Sequence, residues 1–479
     1  MPQALGGIRT TSRVIFEAVC RTVMNTAAIT MKMMKQSLRR LLDRWLPRGG
    51  FARSVSILVG GTALAQALAV SVSPILTHIY KPSEFGALQV FISLLALVVV
   101  AASGRYEVAI LLPEDEQSAV DVLGVAILCV GLATTICAGI VFICHYHWIL
   151  PSSVLILKGY LWLLPFSVLG GGVYQVLNYW AMRRGNYKQI AKSKFTQVGA
   201  QVAMQLGVGL LVHGSSGLLI GDAVGRMSGS GRFIRDLWRD YADKLRVLRI
   251  PRMVKCAMRY REYPLVSMWG ALINASGLAL PSLFLAQYYG AESTGWFALV
   301  NRVLGVPVAL IGSSITQVYT SEAAKLSRSD PRRLMYIFLK TTWHMLYLGL
   351  APCAVFMIFA PWAFQFIFGH PWREAGEYAR YLAFMFYVSF IDSPVTMTLN
   401  ILERQRAQFA WDISRLILAV IAIALPYHLG YGPRVVVQTY GVAMTVMYGI
   451  HWTQSYFGIG HCVRQAAMIV PNAAQAYKK

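Results

Sequence analysis

Two polar residues sit inside an apolar stretch long enough to cross a bilayer. Asn301 and Arg302 lie in residues 295–319, GWFALVNRVLGVPVALIGSSITQVY. About 20 apolar residues span a hydrocarbon core as a helix. A lone arginine there costs roughly 2.5–3.5 kcal/mol on insertion scales, so such a charge normally faces a partner or a water-filled cavity. Arginine suits phosphate, which it can grip bidentately. The competing reading is a side chain that snorkels to the nearer interface, since Arg302 is only about two helical turns from Gly295. Pro307 follows closely, and a break in the backbone ladder is tolerated in a span that lines a cavity. Gln66, Asn178, Asp222, Asn274 and Asp392 are further polar residues in apolar stretches. The neutral ones equally suit hydrogen bonds between helices. Asp392, near mid-span and close to Pro394, reads as a proton or cation site or as a partner for Arg302. Asp222 and Arg226 are four apart and can pair on one helix face, either as plain charge cancellation or as part of a site.

The elements that must carry these residues are membrane helices. The 479 residues are 56% hydrophobic and 14% charged, with a mean hydropathy of +0.51. That lies far outside the range of soluble domains. The net charge of +23 would suggest nucleic acid in a soluble protein. Here the basic residues fall mostly in loops, so topology and anionic lipid headgroups account for them and no nucleic-acid partner is expected. The seven cysteines are scattered, with no CxxC and no histidine cluster at ligand spacing, so neither a metal site nor a disulfide framework is expected.

Apolar runs of helical length recur at 54–79, 85–104, 122–144, 157–181, 192–212, 216–234, 263–288, 295–318, 335–360, 378–400, 408–428 and 434–458. The fold expected is therefore all-α and polytopic, with about twelve transmembrane helices. The sixth run is interrupted by Asp222, Arg226 and Arg232. It also carries Gly221-x-x-x-Gly225-x-x-x-Gly229, a pattern that favours close helix packing. With the leader and the even-numbered loops on one side, that side holds 38 Lys and Arg against 5 on the other, Arg302 set aside. By the positive-inside rule both termini are cytoplasmic.

The expected organisation is a basic leader at 1–50, an N-lobe at 51–234, a cytoplasmic linker at 235–262, a C-lobe at 263–460 and a cytoplasmic tail at 461–479. The leader has no apolar core before residue 51, so it is not a secretory signal. It reads as an amphipathic surface helix, an over-called start (MKMMKQSLRRLLDRW from Met31) or an organellar transit peptide.

The two halves resemble each other. Pro74 to Tyr80, with Glu84 and Gly86 after it, aligns with Pro281 to Tyr289, followed by Glu292 and Gly295. Leu177-Asn178 with Arg184 and Tyr187 aligns with Leu399-Asn400, Arg406 and Phe409 at the same offsets. An even number of helices per half makes the repeat parallel, with cargo bound near the midplane between the halves. No Walker A, HExxH or GxSxG motif is present, so neither nucleotide-driven transport nor those hydrolytic chemistries are expected. Glu114, Asp115 and Glu116, with Asp121, could do acid–base work but read more simply as a solvated loop.

Residues 105–113, RYEVAILLP, resemble the RYE-x-A-I-x-L-P signature of bacterial polysaccharide biosynthesis flippases of the multidrug/oligosaccharidyl-lipid/polysaccharide (MOP) exporter superfamily. Asn301 to Pro307 is similar to that family's R-x-L-G-x-P in helix eight. Leu399 to Gln408 and Leu177 to Arg184 are similar to its helix-ten and helix-four exits. The resemblance covers roughly 51–460. It implies two six-helix lobes around a central cavity, and flipping of undecaprenyl-diphosphate-linked oligosaccharide from the cytoplasmic to the periplasmic leaflet of the bacterial inner membrane. It implies no enzyme activity and no cofactor. Implied partners are the lipid-linked oligosaccharide, membrane lipids and the polymerase and assembly proteins of the polysaccharide. Cavity arginines of the related lipid II flippases engage the diphosphate, and Arg302 is their counterpart by helix and depth. The alternatives are a multidrug cation antiporter of the same superfamily, a membrane glycan polymerase or ligase, and a non-transporting scaffold.

Overall fold

The computed structural model describes residues 50–147 and 151–476, so the leader up to residue 49 lies outside the described residues. The chain is all-α, and no strand occurs among the described residues. The first half contains α1 (Gly50–Ser71), α2 (Pro82–Ala102), α3 (Glu116–His147), α4 (Leu163–Arg183), α5 (Tyr187–Leu211) and α6 (Ser216–Ser228). Two basic helices follow, α7 (Gly231–Arg246) and α8 (Ile250–Arg259), where the sequence reads as a linker. The second half contains α9 (Met268–Val300), α10 (Val306–Ser329), α11 (Pro331–Phe368), α12 (Arg373–Asp392), α13 (Gln405–His428) and α14 (Pro433–Ala476).

Seven stretches among the described residues are long and apolar enough to cross a membrane. One of these, Tyr263–Ser329, is broken at Gly290, whose φ of 79° only glycine adopts freely, so it supplies the seventh and eighth expected spans. The sixth span is shorter than expected. α6 has 13 residues, about 20 Å at 1.5 Å per residue, before the chain turns into α7. The last helix runs on to Ala476, well past the expected start of a tail at 461.

Helix ends follow local chemistry. Pro82 opens α2 and Glu84 accepts from the Lys81 N–H at 2.9 Å. Asp330 caps α11 by accepting from the backbone of Arg332 and Arg333. Leu128, Leu132, Ile136 and Ile140 of α3 are exposed at four-residue spacing. Such a stripe is the face a membrane helix turns to lipid.

The glycine pattern on α6 does what its spacing predicts. Gly221 and Gly225 lie directly against the backbone and glutamines of α5, where a β-carbon would overlap them. A second close approach joins the halves. At Gly86 of α2 a β-carbon would strike the Ala291 carbonyl, and at Gly295 of α9 it would strike the Pro82 carbonyl. These are the segments the internal repeat aligns, and they pack face to face. Trp372 bolts the same end, donating to the Thr77 carbonyl at 3.1 Å and packing edge-on to Phe85 at 5.0 Å.

The RYE signature is a clamp at the opposite end. Arg105 adopts a left-handed φ of 62°, which turns Glu107 inward until it is fully buried. Glu107 accepts from Ser103 Oγ and from Gln175 Nε2 of α4, and lies 3.4 Å from Arg105. Tyr106 donates to the Ala257 carbonyl of α8 at 3.1 Å. Glu107→Ala leaves Gln175 and Arg105 without their acceptor, so we expect a loss of roughly 2–3 kcal/mol. A thermal melt of the purified variant checks this, and an unchanged midpoint would rule the clamp out.

The neighbouring acidic run is likewise structural. Asp115 caps α3 through the Ser118 N–H at 2.6 Å, and hydrogen bonds from Ser118 hold its carboxyl below the usual range. Glu116 pairs with Lys244 of α7.

Candidate functional site: a cationic cavity between the halves

A cavity of about 320 Å³ lies between α1, α2, α5 and α6 of the first half and the α9–α10 junction of the second. That junction is one turn of π-helix, Asn301–Gly305, followed at once by Pro307 in the first turn of α10. Proline has no N–H for the carbonyl four residues back, so the ladder must widen or break there. Single π turns inside helices recur at functional sites. Here the turn carries both Asn301 and Arg302, and both line the cavity.

Arg302 donates through Nη2 to the Ala69 carbonyl of α1 at 2.8 Å. Among the described residues no carboxylate pairs with it. Lys194 of α5 holds Gln197 Oε1 at 2.9 Å, and its ammonium sits 5.8 Å from the Tyr174 ring centre. Arg226 is different: its Nε and Nη2 bind Asp222 at 2.7 and 3.4 Å, so the cavity's one carboxylate is already taken. Three cations against one anion leave the cavity with a surplus of two positive charges, and Arg302 and Lys194 feel Asp222 only at longer range than Arg226 does.

Four of the residues singled out in the sequence therefore meet: Gln66, Asp222, Asn301 and Arg302. Two others meet elsewhere. Asp392 does not reach Arg302; it binds His451 Nδ1 of α14 at 2.9 Å, both side chains fully buried. His451 Nε2 faces Gln408 at 3.1 Å, Gln408 reaches Asp412, and Asp412 lies 3.7 Å from Arg415. Arg415 in turn donates to Asn274 Oδ1 at 2.8 Å and covers the Trp411 ring. Asp392 and Asn274 are thus the two ends of one polar chain within the second half. Asn178 joins neither group, and its buried Oδ1 has no hydrogen-bond partner.

Sequence reasoning counted Lys194 as a loop charge and passed over Gln89, Gln197 and Gln201. A signal was present. Lys194, Gln197 and Gln201 recur at three- and four-residue spacing, one face of a helix, in a run otherwise read as a span.

This is the fold of a multi-pass membrane protein, and it is shared with transporters of the MOP superfamily. The chain is similar to an inward-facing multidrug resistance MATE family transporter of the MOP superfamily, with a TM-score of 0.60 and 16% identity over 91% of this chain and 98% of that one. It is similar to the lipid II flippase MurJ in an inward closed conformation, with a TM-score of 0.63 and 10% identity over 87% and 92%. It is also similar to a MOP superfamily transporter from Pyrococcus furiosus Vc1 (DSM3638) described by the reversed polarity of its binding pocket, with a TM-score of 0.55 and 14% identity over 85% and 98%. At these identities the likenesses show the fold. No curated protein matches the chain. Residues 75–377 match the polysaccharide biosynthesis protein family, and the chain belongs to that family.

Proposed function

We propose that the chain is a flippase that moves a diphosphate-linked oligosaccharide on a polyprenyl carrier, undecaprenyl in bacteria, from the cytoplasmic to the periplasmic leaflet of the inner membrane. The observation that carries this is the pair of cations, Arg302 and Lys194, which make no salt bridge among the described residues and line a cavity whose single carboxylate, Asp222, is bound by Arg226. A diphosphate brings about two negative charges, and charge-assisted bonds from two cations hold it reversibly. Each hydroxyl moved into hydrocarbon without a partner costs several kcal/mol, which bars unaided crossing. A polar cavity removes most of that barrier while the prenyl tail stays in lipid.

In this reading both termini and the α7–α8 linker are cytoplasmic, on the charge asymmetry of the loops. The lobes are 51–234 and 263–460. The Gly86–Gly295 contact is then an outer seal, and alternating access consists of parting it while the inner end closes. Interior-negative potential favours outward movement of the anion by roughly 2.3 kcal/mol per charge per 100 mV. Polysaccharide polymerase or assembly proteins are the expected takers of the cargo outside.

A multidrug cation antiporter on the same fold would need free acid in its cavity. Here Asp222 is held by Arg226, and the surplus is positive.

The test is leaflet access of labelled undecaprenyl-diphosphate oligosaccharide in proteoliposomes. Wild type should move the label to the far leaflet, and Lys194→Ala should slow it about tenfold, the loss of one charge-assisted bond worth roughly 1.5 kcal/mol. No movement by the wild type, with scrambling controls intact, would overturn the reading.

A further inference from the structure

We infer that the cavity selects an uncharged saccharide: beyond the diphosphate it is built to read hydroxyl and acetamide hydrogens and to refuse a carboxylate. This inference rests on the flippase reading above and narrows its cargo. The first argument is charge. Asp222 neutralises Arg226, and the two remaining cations, Arg302 and Lys194, match the diphosphate. With that group bound, the cavity holds no spare cation. A carboxylate on the sugar would then enter the cavity with no positive partner, and a charge taken out of water without a partner is unfavourable.

The second argument is the direction of the amides. Gln89 gives its Nε2 hydrogens to Ser93 and Ser282. Asn301 gives its Nδ2 to the Phe297 carbonyl, and Gln201 gives its Nε2 to Asp222. The protein therefore uses both hydrogens of Gln89 and one each of Asn301 and Gln201, and leaves the three carbonyl oxygens free. Gln66, which lines the same cavity, has no hydrogen-bond partner among the described residues. An amide oxygen accepts and cannot donate. These oxygens suit sugar O–H groups and the N–H of an acetamido sugar, and Gln89, with no hydrogen left to give, offers an acceptor-only carboxylate nothing. The two arguments are independent, one from net charge and one from hydrogen-bond polarity.

The test compares binding of three probes to the purified full-length protein by calorimetry: undecaprenyl diphosphate, and its conjugates with N-acetylglucosamine and with glucuronic acid. The N-acetylglucosamine conjugate should bind at least tenfold more tightly than the glucuronic acid conjugate. Asp222→Asn, which frees Arg226 for cargo with little change of shape, should close most of that gap. Gln66→Lys, which adds a cation at a residue with no protein partner, should do the same if the first variant folds poorly. Equal binding of the two conjugates by wild type would overturn the selectivity and leave the flippase reading standing. Preference for the glucuronic acid conjugate would do so more strongly. If even undecaprenyl diphosphate fails to bind, the cationic site itself is wrong and both readings fall.

Discussion

Replacing Arg302 with alanine is expected to lower transport of a diphosphate-linked saccharide by about a hundredfold or more while leaving the protein folded. Among the described residues Arg302 makes one hydrogen bond, to the Ala69 carbonyl, and no ion pair, so the fold loses little when the side chain goes. The cargo loses much more. Removing one member of a desolvated charge pair costs about 2–5 kcal/mol, and each 1.4 kcal/mol is a factor of ten. Arg302→Lys keeps the charge but not the planar fork, so it should fall between, nearer to wild type. The measurement is initial rate in proteoliposomes beside a thermal melt. Equal rates for wild type and Arg302→Ala would show that the arginine only braces α1 against the π turn, and the diphosphate site would have to be sought elsewhere.

The second large effect is expected at the seal. Gly295→Leu places a branched side chain where even a β-carbon overlaps the Pro82 carbonyl. Backbone cannot retreat cheaply from such a contact, and overpacking of this kind costs about 1–3 kcal/mol. That penalty falls only on the state in which α2 and α9 touch, so it shifts the closed-to-open ratio by roughly 5–150-fold. A cysteine at Ala298, a cavity residue, reports the change in a background lacking the native cysteines. In Gly295→Leu it should react readily with an impermeant maleimide added on the side where Lys81 emerges, and slowly without the leucine. Gly86→Leu should behave alike, since the two glycines make reciprocal contacts. Unchanged labelling in both variants would mean that this packing yields without opening a path.

The seal shows how local sequence and tertiary contact divide the information. Glu84-x-Gly86 and Glu292-x-x-Gly295 were visible as a repeat. Nothing in either segment says that its partner is the other copy, because a glycine exposed to lipid looks the same in sequence as one pressed on a carbonyl. The RYE signature has the same ambiguity. Its resemblance to a family was legible, but the burial of Glu107 follows from the left-handed Arg105 and from Gln175 on a helix about 70 residues away.

Sequence alone determined the all-helical membrane architecture, because a bilayer forces apolar residues into runs of a countable length. It also singled out Arg302, because an arginine in such a run needs a reason. The close packing of α6 was equally plain from Gly221, Gly225 and Gly229. What only the tertiary structure decided was company. Gln66 joins Arg302 across more than 200 residues of chain, with Asp222 beside them, whereas Asp392, far nearer to Arg302 in sequence, turns to His451 instead. Lys194 became a cavity cation once α5 was packed on α6, whereas the Arg226–Asp222 pair lies within α6 and was legible from its four-residue spacing. Hydropathy records how each helix meets lipid. Which polar side chains face one another depends on helix rotation and on which helices are neighbours, and these are fixed by side-chain packing between segments distant in sequence.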